Sequence, residues 1–178
     1  PQQHFLGVVN RTNTYSLGGT ISTQRISSNP VGNLGQNGTV NLGAVGGGIN
    51  TNGQDIFASG PLTLTVQNAY DYANNVPVAG GDITTGNLTA VGSNLYVYNS
   101  AGNITLGTLS GGASNSIDAL TLNASQMLTA PIDFNAHSIN ISVGNVGAAG
   151  LNLGNLTASQ GGISLTTNGS GNVAAGTV

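Results

Sequence analysis

The chain has 178 residues, which is one domain by length. Charged residues make up only 4% of it, against roughly 25% in ordinary globular domains. Lys, Glu and Cys are absent, the only cations are Arg11 and Arg25, and the acids Asp55, Asp71, Asp82, Asp118 and Asp133 are scattered singly. Two arginines cannot supply the basic surface that nucleic-acid binding needs, no disulfide framework is available, and no apolar run approaches the length of a membrane helix.

Residues 1–35 carry no clear periodic motif and are expected to form an N-terminal cap or assembly segment; residues 36–178 are expected to form the repeats. The first motif copy is Val40-Asn-Leu-Gly43-Ala-Val45: an aliphatic residue, two variable positions, Gly, one variable position, then Leu or Val. Gly46-Gly47-Gly48 opens a glycine-rich stretch that reads as a loop. Leu62-Thr-Leu64-Thr-Val66 alternates with period two, the pattern of a strand with one buried face. Tyr70 and Tyr72, then Tyr96 and Tyr98, form two Tyr-x-Tyr pairs, each expected on one side of its strand and available for a ligand or a subunit contact.

The motif returns as Ile83-Thr-Thr-Gly86-Asn-Leu88, Ile104-Thr-Leu-Gly107-Thr-Leu109, Ile141-Ser-Val-Gly144-Asn-Val146, Leu151-Asn-Leu-Gly154-Asn-Leu156 and Val173-Ala-Ala-Gly176-Thr-Val178. Ile83 and Ile104 are 21 residues apart, Leu151 and Val173 are 22 apart, and Val40 lies 43 before Ile83, about two periods. Segment 83–109 also aligns with 151–178, sharing Gly-Asn-Leu-Thr-Ala at 86–90 and 154–158. A fixed period of this length marks a chain wound into stacked coils.

No helical periodicity is present, so the expected class is all-β: a parallel β-helix, or β-solenoid, with coils of about 21 residues. The alternative is an antiparallel β-sandwich of the fibre-subunit type, which shares the short alternating strands but not the period. Gly43, Gly86, Gly107, Gly144, Gly154 and Gly176 are expected at coil corners, where positive φ or close backbone approach excludes a Cβ. Asn recurs beside these corners, at 87, 103, 145, 155 and 172, and could bond from coil to coil as ladders.

The chemistry-bearing residues are sparse. Asp55, Asp82, Asp118 and Asp133 do not follow one-coil spacings and have no cation near them in sequence, so no catalytic residue is assigned. His4 and His137 read as surface or loop residues; Asp133 and His137 are four apart, a spacing without meaning outside a helix. No repeated calcium motif is present, and neither a cofactor nor a metal is expected. Asn-x-Ser/Thr triplets begin at Asn10, Asn37, Asn87, Asn103, Asn123, Asn140, Asn155 and Asn168 and read as a by-product of the repeat. A single Thr63-Leu-Thr65 is too little for an ice-binding face.

Gly102-Asn-Ile-Thr-Leu, Leu156-Thr-Ala-Ser and Gly162-Ile-Ser-Leu-Thr-Thr-Asn-Gly resemble the repeat regions of filamentous-haemagglutinin-like exoproteins and autotransporter passengers, over residues 80–178. The resemblance implies a right-handed parallel β-helix secreted through an outer-membrane barrel and serving as an adhesin or surface fibre. The secretion-domain motif of that family is not recognisable in the N-terminal third. The expectation is a non-enzymatic extracellular structural or adhesive protein that associates end to end or continues a longer chain, with surface glycans as possible ligands. Two alternatives are a pilin-like sandwich polymerising through strand exchange by Pro1–Val9 and a β-helix polysaccharide-active enzyme.

Overall fold

The computed structural model describes residues 11–17, 20–23, 26–28, 38–113, 115–130, 133–144, 151–168 and 172–178. Among these residues every regular element is a strand. The chain runs repeatedly through one long strand and then two short ones. The first circuit is β1 (Arg11–Leu17), β2 (Ile21–Ser22) and β3 (Ile26–Ser28), and the second is β4 (Thr39–Val45), β5 (Ile49–Asn50) and β6 (Ile56–Ala58). The third begins with β7 (Leu62–Gln67), is interrupted by a hairpin of β8 (Ala69–Asp71) and β9 (Val76–Val78), and resumes with β10 (Ile83–Thr84) and β11 (Leu88–Ala90). Next come β12 (Leu95–Asn99), β13 (Ile104–Thr105) and β14 (Leu109–Ser110), then β15 (Ile117–Ala124), β16 (Leu128–Thr129) and β17 (Phe134–Val143). The last elements are β18 (Leu151–Asn152), β19 (Leu156–Ala158), β20 (Ile163–Thr167) and β21 (Val173–Ala174).

Equivalent strands of successive circuits stack. The long strands form an eight-stranded sheet in the order β1-β4-β7-β12-β15-β17-β19, with β20 also on β17; the short ones form a five-stranded sheet β16-β13-β10-β5-β2 and a four-stranded sheet β14-β11-β6-β3. All pairings in these sheets are parallel, as is the pair β18–β21; among the described residues only the hairpin β8–β9 is antiparallel. An antiparallel sandwich does not fit this pairing. The result is all-β, with mostly parallel strands in stacked sheets, consistent with a β-helix or solenoid.

Alternation sets the core. Side chains of period two put one face of each strand inward, and the register aligns them in columns. Ile21, Ile49, Ile83, Ile104 and Leu128 form one column, and Ile26, Ile56, Leu88 and Leu109 a second. In the large sheet Val40, Leu62, Leu95, Leu120 and Ile139 stack beside Leu42, Leu64, Val97, Leu122 and Ile141. All of these except the half-buried Leu109 are buried in one continuous cluster.

The register also corrects two motif copies. Gly43 lies inside β4, opposite Thr65, rather than at a corner. Val40, Leu42 and Ala44 of that strand all point inward, so its residues obey the period of two and only coincidentally spell the hexapeptide. Ile141 likewise belongs to a long strand, and Gly144 follows that strand's end, packed on the Ser125 carbonyl. Asn145 and Val146 of that copy lie outside the described residues. By contrast Gly86, Gly107 and Gly154 each stand between two short strands. None of these hexapeptide glycines is at positive φ; among the described residues the positive-φ glycines are Gly46, Gly53, Gly92 and Gly112. What excludes a side chain at Gly86 is close approach: a Cβ there would collide with the Gly53 carbonyl and come within 2.8 Å of Asp55 Oδ1.

Along the five-stranded sheet the advance per circuit is 28 residues from Ile21 to Ile49, 34 to Ile83, 21 to Ile104 and 24 to Leu128. The 34-residue step contains the β8–β9 hairpin. Residues 11–28, within the segment expected as a cap or assembly element, carry β1 to β3 and add to the same three sheets. Pro1–Val9, His4, Asn10, Arg25 and Asn37 lie outside the described residues.

Candidate functional site

At the bends that lead into the short strands, side chains add hydrogen bonds from one circuit to the next. Asp55 Oδ1 accepts the Asn87 N–H at 2.9 Å, and Asn87 Oδ1 accepts the Thr108 N–H at 2.8 Å. Asp82 Oδ1 accepts from Asn103 N at 2.8 Å, and Asn103 Oδ1 from Met127 N at 3.1 Å. Asp133 Oδ1 accepts from Asn155 N at 2.7 Å, and Asn155 Oδ1 from Thr177 N at 3.1 Å. Each acceptor and each donating N–H stands directly before the apolar residue of a short strand or of its equivalent position. Three of the five acids are thus coil-to-coil acceptors. Asn87, Asn103 and Asn155, which also open glycan-acceptor triplets, do the same work.

Asn99 is the residue the sequence reading passed over. It ends β12 in an inward column between Val66 and Ala124 and is fully buried. Its Oδ1 accepts from the N–H groups of Ala101 (3.0 Å) and Gly102 (2.8 Å). Its Nδ2 donates to the Gly81 and Asn103 carbonyls, both at 3.0 Å. All the capacity of the carboxamide is used to fasten one corner. The available signal was the break in Leu95-x-Val97-x-Asn99, a polar residue where the alternation calls for an apolar one.

The outward face of the eight-stranded sheet is uncharged along two adjacent columns. One runs Thr63, Tyr96, Thr121, Asn140, Ser164, and the other Thr65, Tyr98, Asn123, Ser142, Thr166. All ten are exposed or half-buried. The Tyr96 and Tyr98 rings are nearly parallel, 12° apart with centroids at 6.3 Å. Tyr70 and Tyr72 behave differently. Tyr70 lies in β8 and Tyr72 in the hairpin turn, so their rings meet edge to face at 62° and 5.0 Å. The Tyr70 hydroxyl bonds Asn75 Oδ1 at 2.8 Å, and Tyr72 is 87% exposed.

Asp71 organises that turn. It accepts from Asn74 Nδ2 at 2.7 Å, Asn74 N at 3.2 Å and Ala73 N at 2.9 Å. The Asn74 side-chain bond, followed by the backbone bonds, holds its carboxyl below the usual value. At the other end of the long strands, Asp118 of β15 meets His137 of β17, with Oδ1 and Nδ1 2.8 Å apart. The partner of His137 is therefore Asp118, one circuit away, and the sequence spacing from Asp133 carries no contact. The pair sits where the inward alternation skips, between Ile117 and Leu120 on β15 and between Ala136 and Ile139 on β17.

Among the described residues no group of three or more His, Cys, Asp or Glu side chains is placed to hold a metal ion, and no helix is long and apolar enough to cross a membrane. No protein-family model, curated protein or solved structure matches the chain.

Proposed function

We propose that this chain is part of a non-enzymatic extracellular scaffold with a structural or adhesive role, built as a parallel β-helix whose circuits span 19 to 34 residues. The observation that carries the reading is the aliphatic column Ile21–Ile49–Ile83–Ile104–Leu128, kept in register across circuits of unequal length. Stacked parallel strands give hydrogen bonding along the whole axis, and neighbouring circuits bury each other's apolar face. The corner bonds from Asp and Asn extend that bonding through the bends. A surface kept soluble by Asn, Thr and Ser rather than by charge suits packing against neighbours without charge repulsion. The repeat style shared with filamentous-haemagglutinin-like exoproteins supports an extracellular location. In this reading the edges of β20 and β21 are where a second copy, or the continuation of a longer chain, adds its strands.

Negative-stain microscopy together with limited proteolysis tests the proposal. Thin particles of uniform width and resistance to a broad-specificity protease are expected, with early cleavage confined to the β8–β9 hairpin. Compact isometric particles, or rapid cleavage within the stacked strands, would remove the scaffold reading. A second reading, a polysaccharide-active enzyme, draws on the Asp118–His137 pair. It requires release of oligosaccharides from a polysaccharide digest that the Asp118→Ala variant no longer produces.

A further inference from the structure

We propose that the uncharged strip on the outward face of the eight-stranded sheet binds an extended neutral polysaccharide, lying across the strands over Tyr96 and Tyr98. The inference rests on the adhesive part of the reading above and gives it a site and a ligand class.

Shape comes first. Two columns of outward residues cross β7, β12, β15, β17 and β20 and run on to Asn41 and Gly43 of β4. At about 4.8 Å per strand these strands make a track roughly 24 Å long. An extended polymer chain can follow this track with both tyrosines beneath it.

Chemistry narrows the polymer. Neither column contains a charged residue, the chain has no Lys, and its formal net charge is −3. An acidic polysaccharide would find no cation in the strip and would be repelled overall. The hydroxyl and carboxamide groups of Thr63, Thr65, Thr121 and Asn123 lie on the two strands flanking the tyrosines, and these group types donate and accept hydrogen bonds as sugar hydroxyls do. Tyr96 is 38% exposed, and each column has one tyrosine ring. An aromatic ring with a polar tip gives a sugar both an apolar surface and a hydrogen-bonding group. Charge and aromatic placement therefore agree on one occupant.

Native affinity electrophoresis of the intact chain tests this, because a protein of pI about 4.6 migrates as an anion at neutral pH. Gels would be cast with dextran, galactomannan or hydroxyethylcellulose, and in parallel with alginate as the acidic control. Expected is retardation by at least one neutral polymer and none by alginate. The double variant Tyr96→Thr/Tyr98→Thr, whose new residues match their column neighbours and so suit the strand, should bind about tenfold more weakly. Thr121→Arg, which blocks the strip from the next strand, should also weaken retention, and Tyr70→Thr/Tyr72→Thr on the hairpin should leave it unchanged. Circular dichroism confirms that each variant keeps its strands; if one tyrosine variant fails to fold, Thr121→Arg decides. Free migration in all neutral gels, equal retention by alginate, or retention indifferent to both strip variants overturns the proposal. Free migration with uniform thin particles still visible sinks the strip alone; loss of those particles sinks the scaffold.

Discussion

Replacing Asn99 with Val is the most discriminating test of how the corners are held. Valine suits the inward column, where Val66 and Ala124 are the neighbours, so shape and apolar burial are largely kept. What is lost is the carboxamide. The Asn103 carbonyl keeps its bond from the Ile83 N–H at 2.9 Å. The Ala101 and Gly102 N–H groups lose their acceptor, and the Gly81 carbonyl loses this donor. Gly102 is buried, whereas Ala101 and Gly81 are half-buried and reach water more easily. At about 1–3 kcal/mol for a buried group left unpaired, and less for the other two, the expected loss is about 3 kcal/mol. For a chain of this size that is a fall in melting temperature of roughly 6–12 °C. Thermal unfolding followed by circular dichroism reads it, and amide exchange at Gly102 should accelerate. Asn123→Ala, on the outward side of β15, should change stability by no more than about 0.5 kcal/mol. An Asn99→Val protein as stable as the parent would refute the claim that these hydrogen bonds fasten the corner.

Three further outcomes are expected. Gly107→Ala should destabilise by about 2 kcal/mol or more, because its Cβ would sit 2.7 Å from Asn87 Oδ1 and from the Gly86 carbonyl carbon; Gly162→Ala, with nothing within 4 Å, should be neutral or slightly stabilising in the same melting assay. The Asp71 carboxyl, its pKa depressed by the Asn74 and Ala73 bonds, should titrate below 3.8. The turn contacts it makes are then present above its unfolded value and are lost as pH falls through the lower folded one. Amide shifts of Asn74 should follow that midpoint, and a midpoint at or above the value of a free aspartate would contradict the geometry. Replacing the hairpin 69–78 with a short glycine linker should leave strand content and melting temperature nearly unchanged, since its pairing is only internal, β8 on β9; a collapse of the fold would show that it supports the third circuit.

Much of the architecture was legible in the sequence. Period-two alternation in 62–66 identified a strand with one buried face, because a strand's side chains must alternate whatever surrounds them. The aliphatic residues at 83, 88, 104 and 109 turn inward as the hexapeptide implies, Leu109 less deeply than the others. The same motif at Val173 and Val178 is exposed, so the motif marks the bend and neighbouring circuits supply the burial. The candidate residues fared unevenly for the same reason. The Tyr96–Tyr98 pair needed only the period of two. Tyr70 and Tyr72 read identically but fall across a hairpin turn, which their own strand propensity does not reveal.

The sequence by itself determined the strand alternation, the near absence of charge and the placing of Gly86 and Gly107 at bends between short apolar segments. These are local properties, set by backbone geometry and residue type. Register was decided only by the tertiary structure, because a parallel pairing joins residues 19 to 34 positions apart and local propensity cannot count across a loop of variable length. That register moved Gly43 from a corner into a strand, joined His137 to Asp118 and turned Asp55, Asp82 and Asp133 into backbone acceptors. It also gathered threonines, asparagines, serines and two tyrosines from five strands into one uncharged strip.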